Sequence, residues 1–178
     1  MEHRKPNIQF ALQRISNILL LNGGFLNNPG LFTGETGLIL FFARYARYAQ
    51  NNLYLDYAYS LMGKTQNRMH QDTPINYKQG LTGIGSAIEY LVQNNFFEAD
   101  TDEVLEDFDR RIFYTYNLSG LLIEEIMDIG YYATWRLSGN SAKKDSIRQT
   151  ILPAIEITMR NQSITPVWHQ LCRKNYSI

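Results

Sequence analysis

The chain has 178 residues, with hydrophobic residues at 44% and charged residues at 19%, a balance that excludes a disordered polypeptide. Lys plus Arg equals Asp plus Glu at 17 each, which removes the usual electrostatic case for nucleic acid or an anionic membrane surface as partner. The single cysteine, Cys172, excludes an internal disulfide.

The basic start, Met1 to Pro6, is not followed by the apolar core of a signal peptide, because Asn7, Gln9 and Gln13 interrupt it. Apolar runs such as Leu38 to Ala43 fall far short of the roughly 20 residues of a membrane span. These features lead to the expectation of a soluble, cytoplasmic protein.

Residues 7–21 carry Ile8, Leu12, Ile15, Leu19 and Leu20 at helical spacing, and a loop rich in Gly and Asn follows from Asn22 to Gly30. From Gly34 onward, Leu38, Phe41, Phe42, Tyr45 and Ala49 mark one helix face. After the break at Asn51-Asn52, Leu53, Tyr54, Tyr57, Ala58 and Leu61 mark a second. A polar connector containing Pro74 runs from about Gln71 to Gln79. Gly80 then opens a helix faced by Ile84, Ala87, Ile88 and Leu91.

Asn94-Asn95 breaks the chain as Asn51-Asn52 does. Asp100 is a suitable N-cap, with Glu103 completing a capping-box-like pair, for a helix faced by Val104, Leu105, Phe108 and Ile112. The third unit carries Ile126, Gly130, Ala133, Thr134 and Leu137, a turn at Ser138 to Ser141, and then Ile147, Ile151, Ala154, Ile155 and Thr158. Pro153 is expected to kink or divide that last helix, since proline lacks the N–H donor and clashes with the preceding turn. No segment shows the alternation of a half-buried strand. The expected fold is all-α: three helical hairpins near 34–70, 80–117 and 120–160 in a single domain, with an N-terminal helix and a short tail.

Gly37, Gly83 and Gly130 recur at intervals of 46 and 47 residues, and Gly34-Glu35-Thr36-Gly37-Leu38 answers Gly80-Leu81-Thr82-Gly83-Ile84. A period of this size means repeated supersecondary units, each burying its apolar face by stacking on its neighbours. Glycine costs about 1 kcal/mol against alanine inside a helix, so its recurrence needs a reason. Close packing of helix starts is one. A rim of helix N-termini able to hold an anionic group is the other, and the two are compatible.

The stretch Gly30-Leu31-Phe32-Thr33-Gly34-Glu35-Thr36-Gly37 is similar to the repeated Gly-Leu-x-x-Gly-x-x-Gly of lanthionine synthetase C-like proteins, and Gly80-Leu81-Thr82-Gly83-Ile84-Gly85 to that family's Gly-Leu-x-Gly-Ile-Gly. The tract from Gln93 to Asp109 also resembles members, and the likeness covers roughly residues 10–160. It implies an α/α toroid, in which the first helix of each hairpin is inner and the second outer, and a role in the maturation of ribosomal peptides. Cyclases of that family hold zinc through two Cys and one His, from a Cys-His-Gly motif and a separate Cys. The zinc activates a peptide thiolate for addition to a dehydrated Ser or Thr.

This chain departs from the pattern. It has no Cys-His-Gly and one cysteine, where a catalytic zinc needs three protein ligands. Three hairpins also make about half of the family ring. The resemblance therefore implies a partial toroid without bound cofactor and without zinc-dependent cyclase activity by itself. The partners it implies are a precursor peptide or a peptide-modifying enzyme, and either a second copy or a complementary half. Gly34, Glu35, Gly80, Thr82, Gly83, Glu124 and Tyr131 are the candidate cavity-rim or peptide-binding residues. Met127 stands where the repeat would place the counterpart of Gly34 and Gly80. Glu124 or Glu125 falls near an acidic position of the family, and neither is assigned a catalytic role.

Other groups have plainer readings. His169 and Cys172 share a helix face and read as a chance pair rather than half a metal site; His3 and His70 read as solvated. Glu35 and Glu89 resemble the paired carboxylates of glycan-cleaving α/α barrels, but they are out of phase with the repeat and read better as solvated or salt-bridged. The acidic run from Asp100 to Asp109 reads as the exposed face of an outer helix. Tyr131 and Tyr132 flank a cavity mouth or enter the core. Arg44, Arg47 and Arg136 either meet a peptide carboxylate or snorkel at the surface. Two readings stand beside peptide modification: a non-catalytic helical-repeat module that binds a peptide or a partner enzyme, and a glycan-processing α/α barrel.

Overall fold

The computed structural model describes residues 8–114, Leu118 and residues 121–161. His3, His169, Cys172 and the tail lie outside the described residues. The described chain is all helical, with eight α-helices: α1 (Ile8–Asn22), α2 (Glu35–Ala49), α3 (Leu53–Arg68), α4 (Leu81–Gln93), α5 (Thr101–Val104), α6 (Glu106–Asp109), α7 (Ile123–Ser138) and α8 (Lys144–Asn161). A 3-10 turn at Gly23–Phe25 follows α1, and a π-helical turn at Arg110–Tyr114 follows α6. No strand occurs among the described residues. Nor is any described helix long and apolar enough to cross a membrane.

Helix α2 packs on α3, and α7 on α8. Helix α4 lies between α2 and α7 and carries the longest buried stretch among the described residues, unbroken from Leu81 to Glu89. Its sequence explains the position: Gly83, Gly85, Ser86 and Ala87 are small enough to let neighbouring helices approach on several sides. At Gly85 an added methyl would strike the Tyr132 ring of α7. The core runs through all three units, from Ile39, Phe42 and Leu61 through Ile84, Leu91 and Ile112 to Ile129 and Ile147.

The two asparagine breaks work through their caps. Gln50, just before Asn51, takes the left-handed conformation that closes α2 (φ 50°), and Asn95 does the same after α4 (φ 55°). Such residues end helices because the left-handed turn satisfies orphan carbonyls. Asp100 caps α5 by accepting the Asp102 N–H at 2.9 Å.

Four expectations need correction. The second helix of the middle hairpin is not continuous: it is broken at Leu105 into α5 and α6 and ends in the π-helical turn. Its acidic face does not simply meet water, because Asp102 and Asp109 turn inward to a cation, and Asp109 is buried. Gly130 does not open a helix; it sits midway along α7, whose N-cap is Leu122. The Leu122 N–H bonds the Glu125 carboxylate at 2.8 Å, so this helix start needs no glycine. Helix α8 continues through Pro153 without division.

Candidate functional site

The first two hairpins open in closely similar ways. Gly34 and Gly80 are the N-caps of α2 and α4, with closely matching extended backbones (φ −126°, ψ −171° and φ −118°, ψ −165°). The Glu35 N–H donates to the Asn28 carbonyl, and the Leu81 N–H to the Pro74 carbonyl, each at 2.8 Å. The Thr36 and Thr82 hydroxyls donate to the carbonyls seven residues back, Pro29 and Ile75, each at 2.5 Å. A methyl on Gly37 would strike the Leu31 carbonyl oxygen, and one on Gly83 the Tyr77 carbonyl oxygen. The glycines are thus required where a loop folds back across a helix start. The loops take up the first N–H of each helix, that of Glu35 and that of Leu81, and in α4 the Thr82 N–H as well.

The sequence-derived rim residues do not converge on one point. Thr82 is fully buried and its hydroxyl is spent on Ile75. Glu35 is buried beneath the loop, paired with Arg68 of α3 at 2.5 Å and accepting the Thr65 hydroxyl at 3.2 Å. Arg68 also bonds the Leu26 carbonyl, tying the loop before α2 to α3. Burial, and after it the Glu35 charge, pushes the Tyr57 hydroxyl above its ordinary pKa. Glu124 is exposed on the first turn of α7. Tyr131 remains at the surface, 51% exposed, its ring 5.2 Å from that of Tyr77. Asp128, on the same helix, accepts the Tyr77 N–H at 3.0 Å and pins the second loop to α7.

Glu89 and Glu35 each meet an arginine rather than each other. Arg136 of α7 is fully buried and gathers three carboxylates: Glu89 at 2.5 Å, Asp102 at 2.6 Å and Asp109 at 2.7 Å. Neither sequence reading of Arg136, peptide contact or surface snorkelling, holds. The Tyr132 hydroxyl donates to Asp109 at 2.6 Å, and the Ser141 hydroxyl to Asp102 at 2.6 Å. Burial alone would lower the Arg136 pKa; the hydrogen bonds it donates to Asp109 and Glu89 outweigh it and raise the value above its already high norm. Burial, reinforced by the Asp109 charge, pushes Tyr132 well above an ordinary phenol. This cluster is a clamp joining α4, α5, α6 and α7, closed to substrate.

The open chemistry lies on the other side of α2, α4 and α7. A cavity of about 290 Å³ is lined by Leu31 and Tyr77 from the two loops, Leu40 and Arg44 from α2, Ser86, Ala87 and Tyr90 from α4, and Trp135 from α7. A second hollow of about 490 Å³ shares Arg44 and continues along α2 past Phe41, Tyr45, Arg47 and Tyr48 to Leu12 of α1. The lining keeps the repeat: Leu31 and Tyr77, Leu40 and Ser86, Arg44 and Tyr90 are pairs 46 residues apart.

The Arg44 guanidinium lies 5.5 Å from the centre of the Tyr90 ring, and the Trp135 ring meets Tyr90 edge-on at 5.7 Å. Arg47 is committed elsewhere, donating to the Asn94 carbonyl at 2.6 Å and covering the Phe96 ring at 3.8 Å. Sequence reasoning had Arg44 among its cations but missed the groove. The shared 46-residue offset of its lining was the available signal.

No family model matches the chain, and no curated protein or solved structure does so either. The arrangement itself therefore carries the functional reading.

Proposed function

We propose that this chain is part of a lanthionine synthetase C-like α/α toroid, with α2, α4 and α7 as inner helices, and that it acts in peptide modification by binding peptide rather than by zinc chemistry. The observation that carries the reading is the groove lined from α2, α4 and α7, in which the walls given by the first two units repeat with the same 46-residue offset as their glycine loops. A curved helical array presents such a face to an extended chain.

The donor set supports the non-catalytic half of the proposal. A zinc ion with an open position takes three protein ligands. The sequence has one cysteine and no Cys-His-Gly, and among the described residues no group of three His, Cys, Asp or Glu side chains is arranged to hold a metal. The carboxylates that do gather, Glu89, Asp102 and Asp109, are neutralised by Arg136.

The test uses the purified chain and a dehydrated, cysteine-containing peptide with added zinc. Calorimetric titration should show saturable binding, and maleimide labelling should find the peptide thiol intact after incubation. Loss of the free thiol would overturn the non-catalytic reading, and absence of binding to a panel of such peptides would overturn the peptide-binding one.

A further inference from the structure

We infer that the cavity at Arg44 is a carboxylate subsite, built to take the C-terminal carboxylate of a peptide whose last side chain is apolar or aromatic. The inference rests on the peptide-binding reading above and names the end of the peptide that docks. Among the described residues lining this cavity and the adjoining hollow, the charged ones are Arg44 and Arg47, and no carboxylate accompanies them. Arg47 is already bonded to the Asn94 carbonyl. Arg44 is exposed, has no described carboxylate within ion-pairing distance, and rests its guanidinium near the face of Tyr90. A planar guanidinium held against a ring keeps its N–H fork free for the paired oxygens of a carboxylate.

A second observation falls on the same wall. The Tyr90 hydroxyl is shielded from solvent and has no hydrogen-bond partner. Buried polar groups are nearly always paired, and an orphan marks a place where a partner is to be supplied. In the proposed subsite its partner is the ligand oxygen, reached from the cavity that the Tyr90 side chain lines.

The rest of the lining favours a chain end over an internal acidic residue. Leu31, Leu40, Ala87 and Trp135 offer apolar surface, and the Ser86 hydroxyl is already donated to the Thr82 carbonyl at 2.7 Å. An internal Glu or Asp would bring polar backbone on both sides of it into a wall with few partners. A terminal carboxylate concentrates the polar group at one point, with an apolar side chain directly beside it.

The test follows Trp135 fluorescence in a Trp168→Phe background, which leaves one indole. Three probes are titrated: acetyl-Leu-Phe with a free carboxylate, its C-terminal amide, and an amidated peptide with an internal Glu. The free acid should bind about tenfold or more tightly than either amidated probe, the discrimination expected of a charge-assisted hydrogen bond. Arg44→Ala should abolish that preference, with Arg44→Lys recovering part of it. Tyr90→Phe should weaken binding of the free acid while leaving thermal stability unchanged or raised, which a merely structural tyrosine would not do.

Equal affinity for acid and amide, untouched by Arg44→Ala, would overturn the subsite and leave peptide binding standing. Tighter binding of the internal-Glu probe would overturn the chain-end assignment. Binding of acetyl-Leu-Phe with no binding of the longer peptides of the calorimetric panel would keep the subsite and remove the peptide reading. Absence of binding by every probe would overturn the subsite.

Discussion

Arg136 Nη1 on α7 meets Glu89 Oε1 on α4 at 2.5 Å, and both side chains are closed to solvent, at 0% and 1% exposure. The same guanidinium reaches Asp102 on α5 and Asp109 on α6, so one cation holds these two short helices against α4 and α7. Removing a single partner from a buried ion cluster leaves uncompensated charge, at a cost of about 3–5 kcal/mol. Arg136→Met should therefore lower the urea midpoint steeply. The double variant Arg136→Met with Glu89→Gln should recover part of the loss, because fewer buried carboxylates then lack a partner. A cycle in which the two changes simply add would mean that the pair is not coupled.

The same cluster sets the acid limit of the fold. Burial would raise the Asp102 carboxyl, but bonds from the Ser141 hydroxyl, the Ala142 N–H and Arg136 outweigh burial and hold it below its ordinary value. A carboxyl lowered in the folded state contributes stability above its unfolded value, about 4, and that stability is lost as pH falls through the folded value. Thermal scans should show stability falling below about pH 4, and Asp102→Asn should flatten that decline. Tyr132 sets the opposite limit. Its hydroxyl is raised by burial and by Asp109, so the unfolded chain ionises first and stability should fall as pH rises past about 10. Tyr132→Phe should remove that alkaline decline.

Much of the fold is legible in the sequence for one physical reason. Where a loop crosses a helix start closely enough to strike a methyl, only glycine serves, so Gly34, Gly37, Gly80 and Gly83 print the repeat into the chain. The helix break at Asn94-Asn95 is legible because Asn95 itself takes the left-handed conformation that few residues other than glycine favour, whereas at the first break the left-handed residue is Gln50, one place before the asparagines. The Arg136 clamp is not legible. Glu89 and Arg136 stand 47 residues apart, on the repeat interval, but Asp102 and Asp109 do not, and a charged residue among aromatics looks the same whether buried or snorkelling. Gly130 misleads for the converse reason: it falls near the period by position but meets nothing, and the third helix starts at Leu122 with a glutamate cap instead.

Glu35 and Arg68 are unequal partners, the carboxylate 2% exposed and the guanidinium 35%. Truncating the exposed partner strands the buried one. Arg68→Ala should cost about 1–3 kcal/mol, the penalty of leaving a buried acceptor poorly paired, and should also release the Leu26 carbonyl. Hydrogen exchange should then quicken in the loop before α2 more than in α4. Equal change in both would mean that the pair supports the whole domain rather than its first loop.

The glycines themselves give opposite predictions for one substitution. At Gly83 a methyl would strike the Tyr77 carbonyl oxygen, backbone that cannot rotate aside, so Gly83→Ala should destabilise by several kcal/mol or displace the loop that carries Tyr77. At Gly130 a methyl would meet nothing within 4 Å, and the residue lies in the interior of α7 without a positive φ. Alanine there gains helix propensity and loses unfolded-state entropy, so Gly130→Ala should stabilise by about 0.5–1 kcal/mol. Denaturation midpoints of the two variants, read with the change in Trp135 fluorescence, separate a glycine that the fold requires from one that it tolerates. A destabilised Gly130→Ala would mean that α7 packs more closely there than the present arrangement has it.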